Sequence, residues 1–384
     1  MRITIVLGPF LPIPPVLGGA VEKVHLQLAG AYQAAGHDVT IVSRKYGNFL
    51  DRETISGIKH IRIASFDRSS SLAANLALDI RYAWRVAQAL PPSDITVTNS
   101  FFLPMVLRRR TAGKIYVHVA RFPKHQMRLY SRADRLQAIS HAVADEIVRQ
   151  APSLSRKVAT IGYPIPDSYF SRAAGSPRKK TVLFVGRIAR EKGVHLLIDA
   201  FISMRKCLAR SELADWKLRI VGPHEVIQGG DGADYLAELT KQAQPLGAAC
   251  EFVGPVFDEQ TLIKEYRAAS IFVYPSLAET GEAFGLAPLE AMASGCAVIV
   301  SDLRCFDDFI ESEKNGLKFD HRSSDPVSNL SSQLAGLISE PKRIERIVEN
   351  GDITARKFET SAIASLMLGD FLSLVSTGDA IPSP

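Results

Sequence analysis

The sequence predicts an α/β fold built from two doubly wound parallel-sheet domains in tandem. Three observations carry this. Short, unpatterned apolar runs alternate with segments of helical periodicity, as in parallel strands covered on both faces. The alternation breaks once, at a stretch rich in proline and glycine, and then restarts. The chain has 384 residues, 46% hydrophobic and 22% charged, enough for two or three domains that each bury a core. That composition also excludes a disordered chain, which needs low hydrophobicity and high net charge.

The elements follow in order. Ile3–Leu7 reads as a buried strand, and the helix Val21–Gly36 carries Val21, Val24, Leu28 and Tyr32 at helical spacing, with Gly36 as its terminator. Val39–Val42, Ile95–Thr98, Ile115–Val119 and Leu136–Ser140 read as further strands; Leu72–Leu90 and Ser140–Gln150 read as helices. Tyr163–Lys180, with Pro164, Pro166, Gly175, Ser176 and Pro177, is the expected linker. The pattern resumes with Thr181–Val185, a helix at Val194–Leu208, and the strands Leu218–Val221, Phe252–Val253, Ile271–Tyr274 and Ala297–Val300. A first domain over 1–165 and a second over 178–360 result, with a last helix, beginning at Ser361, expected to rejoin the first domain over 361–384. No internal repeat, heptad array or low-complexity tract is present.

The net charge of +6 is unevenly spread. Nine basic residues and one acid, Asp134, lie between Arg108 and Arg135, so the rest of the chain is slightly acidic. One basic patch on such a background argues against a general nucleic-acid binder. Contact with anionic lipid headgroups is one reading of the window 108–135; a solvated helix face is the other. The cysteines Cys207, Cys250, Cys296 and Cys305 form no C-x-x-C pair, which argues against a disulfide framework or a zinc site and for reduced thiols. Ile3–Val21 lacks charge, but Pro9, Pro12, Pro14 and Pro15 would break a membrane helix, and no cleavage-like end follows an apolar run. The expectation is a chain that is not exported: cytoplasmic, or peripheral on the inner face of the membrane.

Open parallel sheets bind ligands at the carboxyl ends of their strands, and three segments there carry suitable groups. Gly18-Gly19 precedes the first helix and allows close backbone approach to an anion. Arg187 follows the strand Thr181–Val185 and Lys192-Gly193 enters the next helix, so a guanidinium fork and a point charge could converge on one diphosphate. The plainer reading is two solvated charges, with Lys192 paired to Glu191. The third segment, Glu282-Ala-Phe-Gly-Leu-Ala-Pro-Leu-Glu290, follows Ile271–Tyr274 and runs into a small-residue helix. Glu282 is expected in the loop and Glu290 in the helix, both near its positive end, where carboxylates could accept from sugar hydroxyls. For Glu290 a first-turn acid complementing the helix dipole is the alternative.

Together, Gly186-Arg187…Glu191-Lys192-Gly193 and the E-x7-E from Glu282 to Glu290 resemble the retaining nucleotide-sugar glycosyltransferases of family 4, which have the GT-B fold. G-G-A-V-E-K (Gly18–Lys23), G-H-D-V-T-I (Gly36–Ile41) and A-I-S-H-A-V (Ala138–Val143) fit as well, so the resemblance extends over nearly the whole chain. It implies two Rossmann-like domains facing across a cleft, an acceptor-binding domain over 1–165 and a nucleotide-sugar donor domain over 178–360. By position, Arg187 and Lys192 would grip the donor diphosphate, Glu290 the ribose, and Glu282 would lie beside the sugar ring. Backbone amides at Gly19 and at Phe284, Gly285 and Leu286 would complete these contacts, and the base would lie against the loops after Val221 and Phe252. His118, near the end of Ile115–Val119, matches a histidine that reaches the donor sugar; a lone histidine there is otherwise structural. Two departures stand out: Tyr163-Pro164 replaces the usual Asn-Gly, and Arg304-Cys305-Phe306-Asp307-Asp308 replaces Gly-Gly-x-Pro-Glu.

The activity this implies is transfer of a hexosyl group, with retention, from a nucleotide-diphosphate sugar to a hydroxyl of a glycan or lipid-linked acceptor, in cell-surface polysaccharide or lipopolysaccharide synthesis. The donor is a co-substrate and no cofactor is expected. With no Asp-x-Asp in a suitable position, no metal is expected either, and in the family's usual mechanism the diphosphate itself deprotonates the acceptor. A nucleotide-sugar epimerase on the same fold and a catalytically silent structural relative are the alternatives.

Overall fold

The computed structural model describes residues 1–170, 178–207 and 215–376. It separates into two compact units, one of residues 1–164 with the C-terminal segment from Thr360, the other Ile165–Glu359. Gly175, Ser176 and Pro177 of the expected linker, Leu208 and the last eight residues lie outside the described residues.

In the first unit, eight strands form one sheet: β1 (Arg2–Val6), β2 (Asp38–Arg44), β3 (Arg52–Ile55), β4 (Ile58–Ile63), β5 (Ile95–Thr98), β6 (Lys114–Val119), β7 (Arg135–Ala138) and β8 (Val158–Thr160). Their order is β3-β4-β2-β1-β5-β6-β7-β8. All neighbours are parallel except β3, which pairs antiparallel with β4 at the edge. This corrects the all-parallel expectation: Ser56 and Gly57, both with positive φ, turn the chain straight back. β5 is buried at every position and β1 at all but its first, as strands covered on both faces must be. The helices Ala20–Ala34, Leu72–Ala89 and His141–Gln150 make the main connections. Ser71 and Ser140 cap the last two, accepting from the amides of Ala74 and Val143.

The last helix, Thr360–Ser376, completes this unit. Phe371 is fully buried, with its ring 4.9 Å from Tyr116 and 5.7 Å from Tyr32. Arg135 forks onto Asp370 through Nε (3.0 Å) and Nη2 (2.6 Å), and the Tyr116 hydroxyl donates to the same carboxylate.

The second unit has six strands: β9 (Lys179–Val185), β10 (Lys217–Val221), β11 (Cys250–Gly254), β12 (Ala269–Tyr274), β13 (Ala297–Ser301) and β14 (Leu317–Phe319). They are ordered β11-β10-β9-β12-β13-β14, all parallel. Counted from its own first strand this is 3-2-1-4-5-6, the dinucleotide-fold order, with its crevice where the order reverses, between β9 and β12. The helix Leu286–Ala293 follows β12. From Ile165 on, the expected linker belongs to this unit: Asp167–Phe170 is a helical turn, and the Ile165 amide donates to the Phe358 carbonyl at 2.7 Å. All four cysteines are free thiols, and no helix among the described residues is long and apolar enough to cross a membrane.

Candidate functional site

Strands β9 and β12 are adjacent, so the loops leaving their carboxyl ends meet. The Leu277 amide donates to the Glu191 carbonyl at 2.7 Å. Gly193 (φ +67°) crosses so close that a Cβ there would stand 2.0 Å from the Pro275 carbonyl oxygen. This contact seats Lys192 inward. Its ammonium donates to Glu282 Oε2 at 2.6 Å, and the two side chains are only 7% and 11% exposed. Ser276 Oγ donates to the same oxygen at 3.0 Å, and Lys192 Nζ stands 5.3 Å over the Tyr274 ring. Two opposite charges are thus held together, out of water, at the switch point of the sheet.

The expected pairing of Lys192 with Glu191 is not found. Glu191 faces Arg187, whose Nη2 donates to Glu191 Oε1 at 2.8 Å while Nη1 reaches the Gly229 carbonyl. Arg187 remains partly exposed (43%), held on the rim of the same loop. Lys192 is therefore no solvated charge, whereas Arg187 is half open to water.

Gly285 caps the helix Leu286–Ala293 in a left-handed conformation (φ +87°), and a Cβ there would lie 2.4 Å from the Phe306 ring. Phe306 belongs to the segment that replaces the usual Gly-Gly-x-Pro-Glu, and the replacement thus packs a buried ring under the helix start. The Phe284 side chain lies in the core, its ring 5.6 Å from Phe309 and 5.9 Å from Phe358. Neighbouring Cys305 is buried; burial, with the Glu282 and Asp308 carboxylates nearby, pushes its thiol pKa up, while Lys192 opposes.

Glu290 sits elsewhere on this helix. It is the fifth helical residue, and the first turn holds no acid. That corrects both the expected place near the positive end and the dipole alternative. The Tyr266 hydroxyl donates to its carboxylate at 2.9 Å, and Tyr169 also bonds to it. Nothing in the sequence spacing pointed to these tyrosines.

In the first unit the expected residues also lie at carboxyl strand ends. Gly18 and Gly19 have φ of +79° and +105° and lead into the helix Ala20–Ala34. Glu22, in the first turn of that helix, is buried, and burial raises its carboxyl pKa. His118 on β6 is 4% exposed. Gln137 on β7 donates its amide to the Ile161 carbonyl at 2.7 Å, which turns Gln137 Oε1 toward His118 Nδ1 at 2.6 Å. The Tyr163 hydroxyl lies 3.4 Å from His118 Nε2, and the His25 ring stands edge-on at 4.6 Å. Burial, with His25 adding to it, lowers the His118 pKa to about 3, so the ring is neutral at ordinary pH. His25, also buried, falls to about 4.

Of the basic window, Arg109 pairs with Asp134, the acid already in the sequence count, and Arg135 with Asp370 from outside the window, which offsets one further charge. Arg108, Arg110, Arg121, Lys124, Arg128 and Arg132 are exposed. Among the described residues no three His, Cys, Asp or Glu side chains are grouped to hold a metal ion.

Two Rossmann-like sheets, the second with a cation–carboxylate pair at its switch point, make a double α/β architecture that places charge where such sheets bind ligands. Residues 169–353 match the family model described as glycosyl transferases group 1, and residues 19–164 that of the glycosyl transferase 4-like domain. The chain belongs to the family 4-like GT-B glycosyltransferases. It is 24% identical to spore coat protein SA of Bacillus subtilis, over 94% of this chain and 95% of that protein. It is 31% identical to the phosphatidyl-myo-inositol mannosyltransferase of Mycobacterium tuberculosis (strain H37Rv) over 55% of this chain; this match spans about half (53%) of that relative's length. Among solved structures, sucrose-phosphate synthase from Thermosynechococcus elongatus superposes with a TM-score of 0.76 at 22% identity, covering 98% of this chain and 99% of that one. HepE of Anabaena, solved with UDP and glucose, gives 0.71 at 17% identity, covering 97% and 100%.

Proposed function

We propose that the chain is a retaining, metal-independent hexosyltransferase, moving a sugar from a nucleotide diphosphate to a hydroxyl of a glycan or lipid-linked acceptor in cell-surface polysaccharide or lipopolysaccharide synthesis. The observation that carries this reading is the buried Lys192–Glu282 pair beside Arg187, at the crevice of the second sheet. A departing diphosphate develops negative charge, and a fixed ammonium, a guanidinium and a helix N-terminus are the groups that stabilise it. When a diphosphate approaches, Lys192 can exchange Glu282 for phosphate oxygens and leave the carboxylate free to accept from the sugar. Glu290 serves the ribose in this reading, with Tyr266 and Tyr169 orienting its carboxylate. The Phe284–Leu286 backbone lies against the donor in this reading, and the diphosphate takes the acceptor's proton.

The test is a thermal-shift panel of UDP, GDP, UDP-glucose and GDP-mannose with and without EDTA, since a ligand binding only the folded state raises Tm. One nucleotide family should raise Tm regardless of EDTA. Lys192→Ala and Glu290→Ala should each nearly abolish transfer; wild-type rates would refute the site. The exposed arginines of 108–132 suit an anionic membrane surface, and co-sedimentation with vesicles containing phosphatidylglycerol should be lost at high salt.

A second reading, a catalytically silent structural protein, is favoured by one observation: the relative matched along almost its whole length is named a spore coat protein. Calorimetry showing no affinity for any nucleotide would select it. An epimerase would convert donor to epimer without acceptor, which NMR of the donor detects.

A further inference from the structure

At one edge of the second sheet, the loops leaving β12, β13 and β14 are joined by a single side chain. Arg322, three residues past β14, forks onto Glu279 in the loop after β12, with Nε on Oε1 at 2.7 Å and Nη2 on Oε2 at 2.8 Å. Its remaining nitrogen, Nη1, donates to the Asp302 carbonyl in the loop after β13 at 2.8 Å. His321 adds a third donor to Glu279. Its Nε2 stands 2.9 Å from Oε1, and a carboxylate only accepts, so Nε2 carries the proton. The His321 side chain is buried, while Arg322 and Glu279 are half exposed. The Arg322 amide donates to Asp320 Oδ1 at 2.9 Å, which fixes the backbone that carries the fork. The Arg322 hydrogen bonds hold the Glu279 carboxyl below its usual pKa range.

Glu279 sits inside the turn that delivers Glu282. The amides of Gly281 and Glu282 both donate to the Ala278 carbonyl, at 3.2 and 3.0 Å, and the Leu277 amide is tied to the Glu191 carbonyl. The turn is thus pinned on one side to the loop after β9 and on the other, through Glu279, to Arg322. We infer that Arg322 and His321 are positioning residues that, through Glu279, hold the turn 278–282 so that Glu282 meets the sugar of the donor. An isolated exposed ion pair would do little of this, since two long side chains are ordered for a small Coulomb gain. A planar fork with a further bond to a neighbouring loop, and a buried histidine on the same carboxylate, loses less freedom for each bond formed. Arg187 and Lys192 follow β9 rather than β12, so the clamp bears on the sugar end of the donor and not on its diphosphate. That consequence rests on the transferase reading above; the clamp itself does not.

Hydrogen exchange on the ligand-free protein tests the clamp. Arg322→Gln keeps a polar side chain but loses the charged fork; it should leave Tm nearly unchanged while exchange rises in residues 277–282. Arg322→Lys, a point charge without the fork, should fall between the two. Exchange in 277–282 that stays at the wild-type rate overturns the clamp. So does a rise spread over the whole second unit with a large fall in Tm, because Arg322 would then support the sheet edge in general. Calorimetry with UDP against UDP-glucose, and GDP against GDP-mannose, reads the consequence at the sugar. In Arg322→Gln the sugar nucleotide should lose about tenfold in affinity, while its parent diphosphate changes by less than about twofold. Arg322→Lys should recover part of that loss. Equal losses for the sugar nucleotide and its parent diphosphate, or no loss for either, overturn the role at the sugar. Failure of all four ligands to bind the wild-type protein overturns the transferase reading and its donor consequence, while the clamp is still decided by the exchange rates.

Discussion

Lys192 and Glu282 lie ninety positions apart in the sequence, yet their charged atoms are 2.6 Å apart because β9 and β12 are neighbours in the sheet. Breaking a buried pair from one side leaves an uncompensated charge. Lys192→Ala should therefore cost about 3–5 kcal/mol of stability as well as activity. The double variant Lys192→Ala/Glu282→Gln removes the orphaned charge and should recover most of the melting temperature but none of the transfer. Recovery of activity along with Tm would show that the pair is only structural.

Gly193→Ala should be more damaging than an ordinary glycine replacement. It meets a positive φ, which alone costs about 1 kcal/mol, and it drives a methyl into the Pro275 carbonyl. Because the same contact seats Lys192, donor affinity should fall in step with Tm; calorimetry and thermal melts on one preparation check both.

Acid should weaken the first unit from a higher pH than carboxylate protonation alone explains. His25 and His118, ordinarily titrating near 6.5, are held at about 4 and about 3, mainly by burial. Between about pH 6.5 and 4 the unfolded chain binds protons that the folded chain refuses. Stability is full above pH 6.5 and declines as pH falls, by about 1.4 kcal/mol per unit for each histidine. Glu22 and Asp79, raised by burial, act in the opposite sense near their own lower range. Urea titrations at pH 7.5 and 5.5 should show the loss, and His25→Gln should roughly halve it; a slope unchanged in that variant would refute the assignment.

Asp370→Ala should loosen the last helix. It strips Arg135 of the carboxylate it forks onto and Tyr116 of an acceptor, at mostly buried positions, and should cost about 3 kcal/mol. Hydrogen exchange should rise first in Thr360–Ser376; uniform protection there would contradict this anchoring.

Much of the architecture was readable because the strands are apolar on both faces. Ile95–Thr98 is found at the boundaries the sequence suggests, and the helix expected from Val194 begins there, with Leu208 outside the described residues. The β3–β4 hairpin was missed because its inward positions on β4 include His60 and Arg62, polar residues that hide the alternation; Ser56-Gly57 was the available signal. At the site, residue identities were legible and partnerships were not. Lys192 finds Glu282 only through strand order, and Glu290 finds Tyr266 and Tyr169 through packing of three separate segments. Tyr163 stood out as a departure, but its bond to His118 depends on how β6 and the segment after β8 come side by side.

The chain leaves the first unit at Pro164 and returns to it at Thr360, and between these points Ile165 bridges to Glu359. The second unit is thus a loop insertion whose entry and exit are stitched together by its own backbone. Excised as 165–359, it would begin and end at one spot, so a short peptide could join its ends into a circle. Conversely, deleting the last seventeen described residues would not shorten the second unit at all; it would take a helix out of the first.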